Sequence, residues 1–414
     1  MKNRMKPKTL SNLQQKSSNI HQHLPESKYL PPELCTQIFV NLPAKTLLRF
    51  RCVCKSWSSI IDDPDFVNMH FKTSQITSRN NNNLLVDLEG LIRNTGYMLT
   101  VCEAETLRKT DLIFSKSTSY TYQIIGSCNG LFLVERFCRP YYRKELRLWN
   151  PCIRKSLPLP VSPFGSLVGT KYLFGFASHS QDYKVVAMTF DDIEAGLTGK
   201  TYVAVYTLSD QKWTVRNDQF DITFPNNISI IKPFDSLSTA VFCRGSAYWL
   251  GYFDKPRNYF HKPRNTLTHL GSFDFDKEKT TFLELPFTWD ENGSLRFLFL
   301  LGGSLAVFSI SKLSSRIWML EQDNEKEPWT LWFLGESSWD GYQVFFSFLS
   351  PNQKVIYCES DGGYFICGNK VYNIASRQVR VLNRSMSSNV RLDMYSESLV
   401  LSKGNGTQDL RSFP

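Results

Sequence analysis

The sequence predicts a mainly β protein with a small α-helical domain at its N-terminus. Apolar side chains recur at helical spacing over residues 30–69, whereas beyond Asn83 short apolar or alternating segments are separated by turn residues. Aromatic residues make up 14% of the chain, and such side chains favour the half-buried surface of a sheet. With 414 residues, the chain exceeds the about 250–300 residues at which single cores stop growing. We therefore expect two folding units.

Residues 1–25 are predicted to be a disordered basic tail, because they are polar and lack apolar periodicity. The tail has no apolar core of a secretory signal, so we expect an intracellular protein, in the cytoplasm and/or the nucleus, with reduced cysteines. No membrane association is expected, because the most apolar stretch, 297–310, is too short for a span and contains glycines. The net charge of +10 would permit nucleic-acid binding, but the scattered Lys and Arg residues favour a solvated surface instead.

Residues 26–72 are predicted to form a unit of short helices. Pro31 and Pro32 can open a first helix, in which Leu34 and Ile38 recur on one face. Pro43 sets the start of a second helix, and a third is predicted over 51–61.

A fourth short helix should begin at Asp63 and Pro64 and carry Phe66 and Met69, with a polar linker after it. A helical unit of this size usually needs a partner to fold securely. The sequence therefore predicts a docking surface on this unit.

Residues 80–405 are predicted to form one all-β domain, followed by a C-terminal tail at 406–414. Five segments share an apolar or aromatic pair, a polar turn and a second apolar strand, with spacings of 57, 67, 46 and 53 residues. These spacings fall near the ~50-residue period of kelch-like propeller blades. The aligned residues are Trp149, Tyr206, Phe273, Met319 and Tyr372.

A weaker sixth copy at 98–114, with a last strand near 395–401 that could pair with it and close the ring, predicts six blades. The alternative is a pair of irregular β-sandwiches with coincidental spacing, because no repeat carries the paired glycines usual in kelch blades.

The segment LPPELCTQIFVNLPAKTLLRFRCVCKSWSSIIDDPDF resembles the F-box of plant F-box proteins. The likeness lies in the order L-P, a helix ending in L-P, then K-x-L-L-R-F-R-C-V-C-K-S-W and D-P-x-F. Downstream, SCNGLFLVE, LRLWNPCIRKSLPLP and DYKVV resemble the propeller-like F-box-associated domain that follows this F-box in a large plant subfamily.

This resemblance implies a substrate-recognition subunit of an SCF (Skp, cullin, F-box) ubiquitin ligase. The F-box would bind the Skp-type adaptor, and through it cullin and a RING subunit, while the β domain recruits an unidentified target protein for ubiquitination. The chain departs from its relatives at Pro32, Cys35 and Thr36. Carried over by position, the adaptor contacts are Leu30, Pro31, Leu34, Ile38, Leu42, Pro43, Leu47, Leu48, Val53, Cys54 and Trp57.

Signals for chemistry are weak, so we expect a non-catalytic subunit with no cofactor and no metal. Cys52 and Cys54 lie two apart on a predicted helix, where their side chains diverge, and His21 with His23 lacks further ligands. No G-x-S-x-G elbow is present. The alternative is a propeller-fold enzyme or ligand-binding protein with a helical cap. Target-binding residues are not predicted beyond a long loop at 252–262.

Overall fold

The structure is a computed structural model that describes the helical unit and much of the β domain. The described residues are 30–81, 84–89, 98–103, 109–110, 120–138, 143–165, 170–190, 201–216, 231–233, 240–253, 266–286, 295–301, 303–310, 314–321, 328–336, 343–349, 354–361, 364–373, 378–385, 392–402 and 408–409.

The helical unit consists of α1 (Pro32–Phe39), α2 (Ala44–Phe50), α3 (Lys55–Ile61) and α4 (Pro64–Asn81). Prolines occupy the residue before α1 and the residue before α2, where a fixed φ and a missing N–H cost nothing. Asp63 caps α4 as predicted, because its Oδ1 accepts hydrogen bonds from the backbone N–H groups of Asp65 and Phe66.

Two predicted helix boundaries are wrong. The third helix begins at Lys55 rather than Arg51, because residues 51–53 form a turn that ends α2. The fourth helix is not short: it continues to Asn81, through residues expected to form the linker. No glycine or proline follows Pro64 within it, so a capped helix can propagate through these polar residues.

The described strands form six antiparallel sheets, which are the blades of a β-propeller. Along the chain the strands of successive sheets are as follows: β1 (Leu84–Glu89), β2 (Met98–Glu103), β3 (Lys109–Thr110); β4 (Tyr120–Cys128), β5 (Leu131–Cys138), β6 (Arg143–Asn150), β7 (Lys155–Pro158); β8 (Lys171–Ala177), β9 (Asp182–Phe190), β10 (Thr201–Thr207), β11 (Lys212–Arg216); β12 (Ile231–Pro233), β13 (Val241–Cys243), β14 (Ser246–Phe253), β15 (Thr266–Asp274), β16 (Lys279–Glu284); β17 (Leu295–Leu301), β18 (Ser304–Ile310), β19 (Ser314–Leu320), β20 (Trp329–Glu336); β21 (Gln343–Leu349), β22 (Lys354–Asp361), β23 (Tyr364–Asn373), β24 (Gln378–Ser385).

Two C-terminal strands join the first two sheets, and one of them closes the ring. β25 (Leu392–Tyr395) pairs antiparallel with β1, so the first sheet has the order β25-β1-β2-β3. β26 (Gln408–Asp409) adds to the outer edge of the second sheet beside β7, although these residues were predicted to be a tail. A last strand near 395–401 was predicted to pair with the copy at 98–114 and close the ring. The closing strand instead covers Leu392–Tyr395 and pairs with β1, which precedes that copy, while residues 396–402 form no strand.

The predicted repeat follows the blades. Its five aligned residues lie in β6, β10, β15, β19 and β23, each the third strand of its sheet counted from the inner strand. The inner strands of neighbouring sheets contact each other, as β4 contacts β8, and β17 contacts β21. The sequence repeat is therefore one blade, and the β-sandwich alternative is excluded.

One apolar core connects the helical unit with the propeller. It contains Phe39, Leu47 and Phe66 from the helices together with Leu133 and Leu148 from the second sheet. Burial of this shared surface removes apolar area from water in both units. Among the described residues, no helix is long and apolar enough to cross a membrane.

Candidate adaptor-binding surface

Three aromatic side chains build the centre of the helical unit. The ring of Phe39 on α1 lies 5.6 Å from that of Phe50 on α2 and 5.1 Å from that of Trp57 on α3. Phe50 and Trp57 are also 5.1 Å apart. Rings at such separations attract one another beyond their burial, so this triad fixes which face of each helix points inward. Neither Phe39 nor Phe50 was identified from the sequence.

The first helix presents an apolar face to solvent. Cys35 and Phe39 are buried, whereas Leu34 is 44% and Ile38 48% exposed. The two buried residues are four apart in sequence, and so are the two exposed ones, so each pair lies on one face of the helix. The exposed pair precedes the buried pair by one residue, which places the two faces about 100° apart around the helix axis. The predicted contact residues Leu34 and Ile38 therefore lie on the outer side of α1.

Further predicted contact residues are exposed beside α1 and at the helix ends. Leu30 is 54% and Val53 62% exposed. Pro31, Pro43 and Cys54 are exposed as well. Large exposed apolar side chains on so small a unit are typical of an interface.

Four predicted contact residues are partly or completely buried. Leu42, Leu48 and Trp57 are partly buried and pack against the core, so only part of each surface is accessible. Leu47 is completely buried, and its prediction as a contact residue is corrected: it belongs to the core that the helices share with the propeller. The sequence could not separate Leu47 from Leu48, because both lie in one apolar pair of a short helix.

Two apolar residues outside the predicted set are exposed on α4. Met69 is 40% and Ile76 60% exposed. They are seven residues apart and so share one face of the helix. That spacing is a signal the sequence contained, but the fourth helix was predicted to end before Ile76.

Polar contacts stabilise the unit behind the exposed face. Arg51 Nε lies 2.7 Å from Asp62 Oδ1, and Ser58 Oγ donates to Asp62 Oδ2 over 3.2 Å. His70 is buried on α4 with its Nε2 2.9 Å from the Leu42 carbonyl oxygen. Burial lowers the pKa of His70, although the hydrogen bond to Leu42 and the charge of Glu397 oppose this.

Among the described residues, the side chains considered as candidate catalytic or metal-binding groups do not come together in one site. Cys52 Sγ donates to the Leu48 carbonyl oxygen. Within the described ranges, no group of three His, Cys, Asp or Glu could hold a metal ion. His21 and His23 lie outside the described residues.

Comparisons with known proteins agree with both units. The F-box associated beta propeller domain matches residues 101–401, and an F-box-like domain matches residues 28–71. An F-box/kelch-repeat protein of Arabidopsis thaliana is 28% identical over 236 residues, which cover 53% of this chain and 58% of that relative. A putative F-box protein of the same plant is 28% identical over 319 residues, 73% of this chain and 71% of the relative.

Among solved structures, a putative 6-phosphogluconolactonase from Bacteroides uniformis covers 76% of this chain, and all of its own, at 10% identity with a TM-score of 0.39. That likeness is too distant to bear on function. The match over residues 101–401 extends through most of the propeller. With the F-box-like helices in front of it, the chain belongs to the plant F-box proteins that carry an F-box associated β-propeller domain.

Proposed function

We propose that this chain is the substrate-recognition subunit of an SCF-type ubiquitin ligase. Its helical unit binds the Skp-type adaptor, and through it cullin and a RING subunit, while the propeller recruits a target protein for ubiquitination. The observation that carries this proposal is the outer face of α1, where Leu34 and Ile38 remain exposed although Cys35 and Phe39 on the other side of this helix are buried in the protein's own core.

The exposed side chains can supply the binding energy. Each buried Å² of apolar surface contributes roughly 25 cal/mol, so an interface that covers several residues offsets the costs of association. We assign the contacts to Leu30, Pro31, Leu34, Ile38, Pro43, Val53 and Cys54, with partial contributions from Leu42, Leu48 and Trp57.

In this proposal the chain forms no covalent intermediate and needs no cofactor. It acts by proximity, because holding a target lysine near the charged ubiquitin carrier raises its effective concentration. Catalytic side chains are supplied by other subunits.

We place the target on the propeller face away from the helices. Asn68 of α4 donates to Gln181 in the β8–β9 turn over 3.2 Å, so the helices lie beside the face that carries such turns. Antiparallel strands reverse at each connection, so the described ends of β14 and β15, Phe253 and Thr266, lie at the opposite face. The predicted loop 252–262 begins there but lies largely outside the described residues.

The adaptor contact is tested with the double variant Leu34→Asp and Ile38→Asp in the full chain. We expect its affinity for a purified Skp-type adaptor, measured by calorimetry, to fall by at least about 100-fold, because two unpaired charges would be buried at the centre of the interface. The matched control is Val161→Asp, since Val161 is 79% exposed but lies in the β domain after β7. Unchanged affinity of the double variant would refute the proposal.

A further inference from the structure

Residues 396–402, which we name the C-terminal strap, lie between the helical unit and the second sheet. The strap follows β25, whose pairing with β1 closes the propeller. Ser398 and Leu399 are completely buried within it. Leu399 belongs to the core shared by helices and propeller. The strap is therefore an internal element and not a loose terminus.

One side of the strap is fixed to the second sheet by Asn150, the last residue of β6. The buried Asn150 amide donates through Nδ2 to the carbonyl oxygens of Ser398, over 2.9 Å, and Val400, over 2.8 Å. Its Oδ1 accepts from the backbone N–H groups of Cys152 and Ile153. One side chain thus uses both donors and its acceptor to join the strap to the β6–β7 turn.

The β4–β5 turn holds the strap from the same side. Asn129 and Gly130 have φ values of 50° and 77°, as a two-residue hairpin turn with positive φ requires. A Cβ atom at Gly130 would lie 2.5 Å from the Ser396 carbonyl oxygen. The turn and the strap are therefore in close contact at a position that only glycine allows.

The other side of the strap binds both ends of α2. Glu397 Oε2 accepts a hydrogen bond of 2.8 Å from the backbone N–H of Ala44, the first residue of α2. Pro43 in front of it makes no side-chain cap, so the carboxylate from the strap replaces one. Beyond the last turn of α2, Arg51 Nη1 donates to the Ser402 carbonyl oxygen over 3.2 Å.

We infer that Asn150 and Glu397 are positioning residues, which fix the angle between the adaptor-binding face of the helices and the propeller. Glu397 connects the strap to α2 and Asn150 connects it to the second sheet, so neither unit can rotate without breaking a buried or charge-assisted hydrogen bond. This inference rests on the proposed function, in which ubiquitin transfer depends on where the propeller holds the target protein relative to the adaptor. A loosened joint lowers the effective concentration of the acceptor lysine without changing the affinity for the adaptor.

The angle is tested directly in the full-length chain. Fluorophores are attached to bio-orthogonal residues introduced at Glu33 on α1 and at the exposed Lys277 on the propeller, and single-molecule energy transfer gives their distance distribution. We expect Glu397→Ala to broaden the distribution, whereas Glu397→Gln, whose amide oxygen still accepts from Ala44, should keep it narrow. Asn150→Asp, which cannot donate to the strap, should broaden it as well. A narrow distribution for a folded Glu397→Ala variant would overturn the inference.

The consequence for the reaction is tested with the reconstituted ligase. Adaptor, cullin, RING subunit, carrier enzyme and this chain are combined, and ubiquitin transfer to the propeller's own lysines is followed by mass spectrometry. For Glu397→Ala we expect adaptor affinity to stay within about threefold, transfer to fall at least about fivefold, and modification to spread over more lysines. Unchanged rate and sites would overturn the positioning role.

The two failures are distinguishable. If the wild-type chain binds no adaptor and transfers no ubiquitin, the proposed function fails, and the role in ubiquitin transfer falls with it. If the wild-type ligase is active and the distance distribution does not respond to Glu397→Ala, only the inference about the strap fails.

Discussion

Helices α1 and α2 are nearly equal in length, with eight and seven residues, and each follows a proline, yet their apolar side chains differ in exposure. α1 exposes Leu34 and Ile38 to solvent, whereas α2 buries Ala44 and Leu47 completely. The ends of α2 are also bound by the C-terminal strap. The position of a helix relative to the propeller, and not its composition, therefore decides whether its leucines remain exposed or form the core.

This difference divides the helical unit into two functional layers. The inner layer, with Leu47 and Phe66, joins the propeller core, so its side chains contribute to stability. The outer layer gains less from burial in the isolated chain, because nearly half of the surface of Leu34 and Ile38 remains in water. Substitutions in the two layers should therefore affect different measurements.

The largest effect on stability is expected from Leu47→Ala. Removing a completely buried leucine side chain leaves a cavity and costs about 2–5 kcal/mol of unfolding free energy. Urea denaturation of the full chain measures this loss. The matched substitution Leu34→Ala should lower the unfolding free energy by about 1 kcal/mol or less, because nearly half of Leu34 is already exposed to water. Equal losses at both positions would contradict the division into layers.

A smaller effect is expected at the start of α4, which differs from α1 in having a side-chain cap. Asp63 Oδ1 accepts from the Asp65 N–H over 2.8 Å, whereas α1 has no such bond at Pro31. Asp63→Ala should cost about 0.5–2 kcal/mol in urea denaturation. Asp63→Asn, which keeps an acceptor, serves as the control and should lose much less. No loss in Asp63→Ala would show that packing alone starts this helix.

The propeller could be predicted from the sequence because each blade repeats a local pattern. Trp149 lies opposite Ser156, and Tyr206 opposite Trp213, so the third and fourth strands of two successive sheets pair in equivalent registers across short turns. Local turns and alternating side chains leave a trace in sequence. The helix starts marked by Pro43 and Asp63 could be identified for the same reason.

The strap and the two layers could not be predicted, because they depend on contacts between distant residues. Glu397 and Ala44 are 353 positions apart, and Asn150 and Ser398 are 248 apart. No periodicity connects such pairs. Leu47 and Leu48 are adjacent in one apolar run, and only the docked propeller decides that Leu47 is the buried member.

The smallest effect we predict is a pH dependence at the inner layer, where His70 on α4 is buried beside the Leu42 carbonyl oxygen. Burial holds the pKa of His70 below its ordinary value of 6.5, so the unfolded chain binds the proton more readily than the folded chain. The stability contributed by neutral His70 is therefore present above about pH 6.5 and is lost as the pH falls below it.

Unfolding free energies at pH 7.5 and pH 5.5 measure this loss, with His70→Gln as a variant that cannot titrate. We expect the wild type to lose more stability on acidification than His70→Gln does. The negative charge of Glu397 opposes the lowering of the His70 pKa. The Glu397→Gln variant should therefore lose more stability on acidification than the wild type does. If His70→Gln and the wild type lose the same unfolding free energy between pH 7.5 and pH 5.5, the pH dependence does not arise from His70.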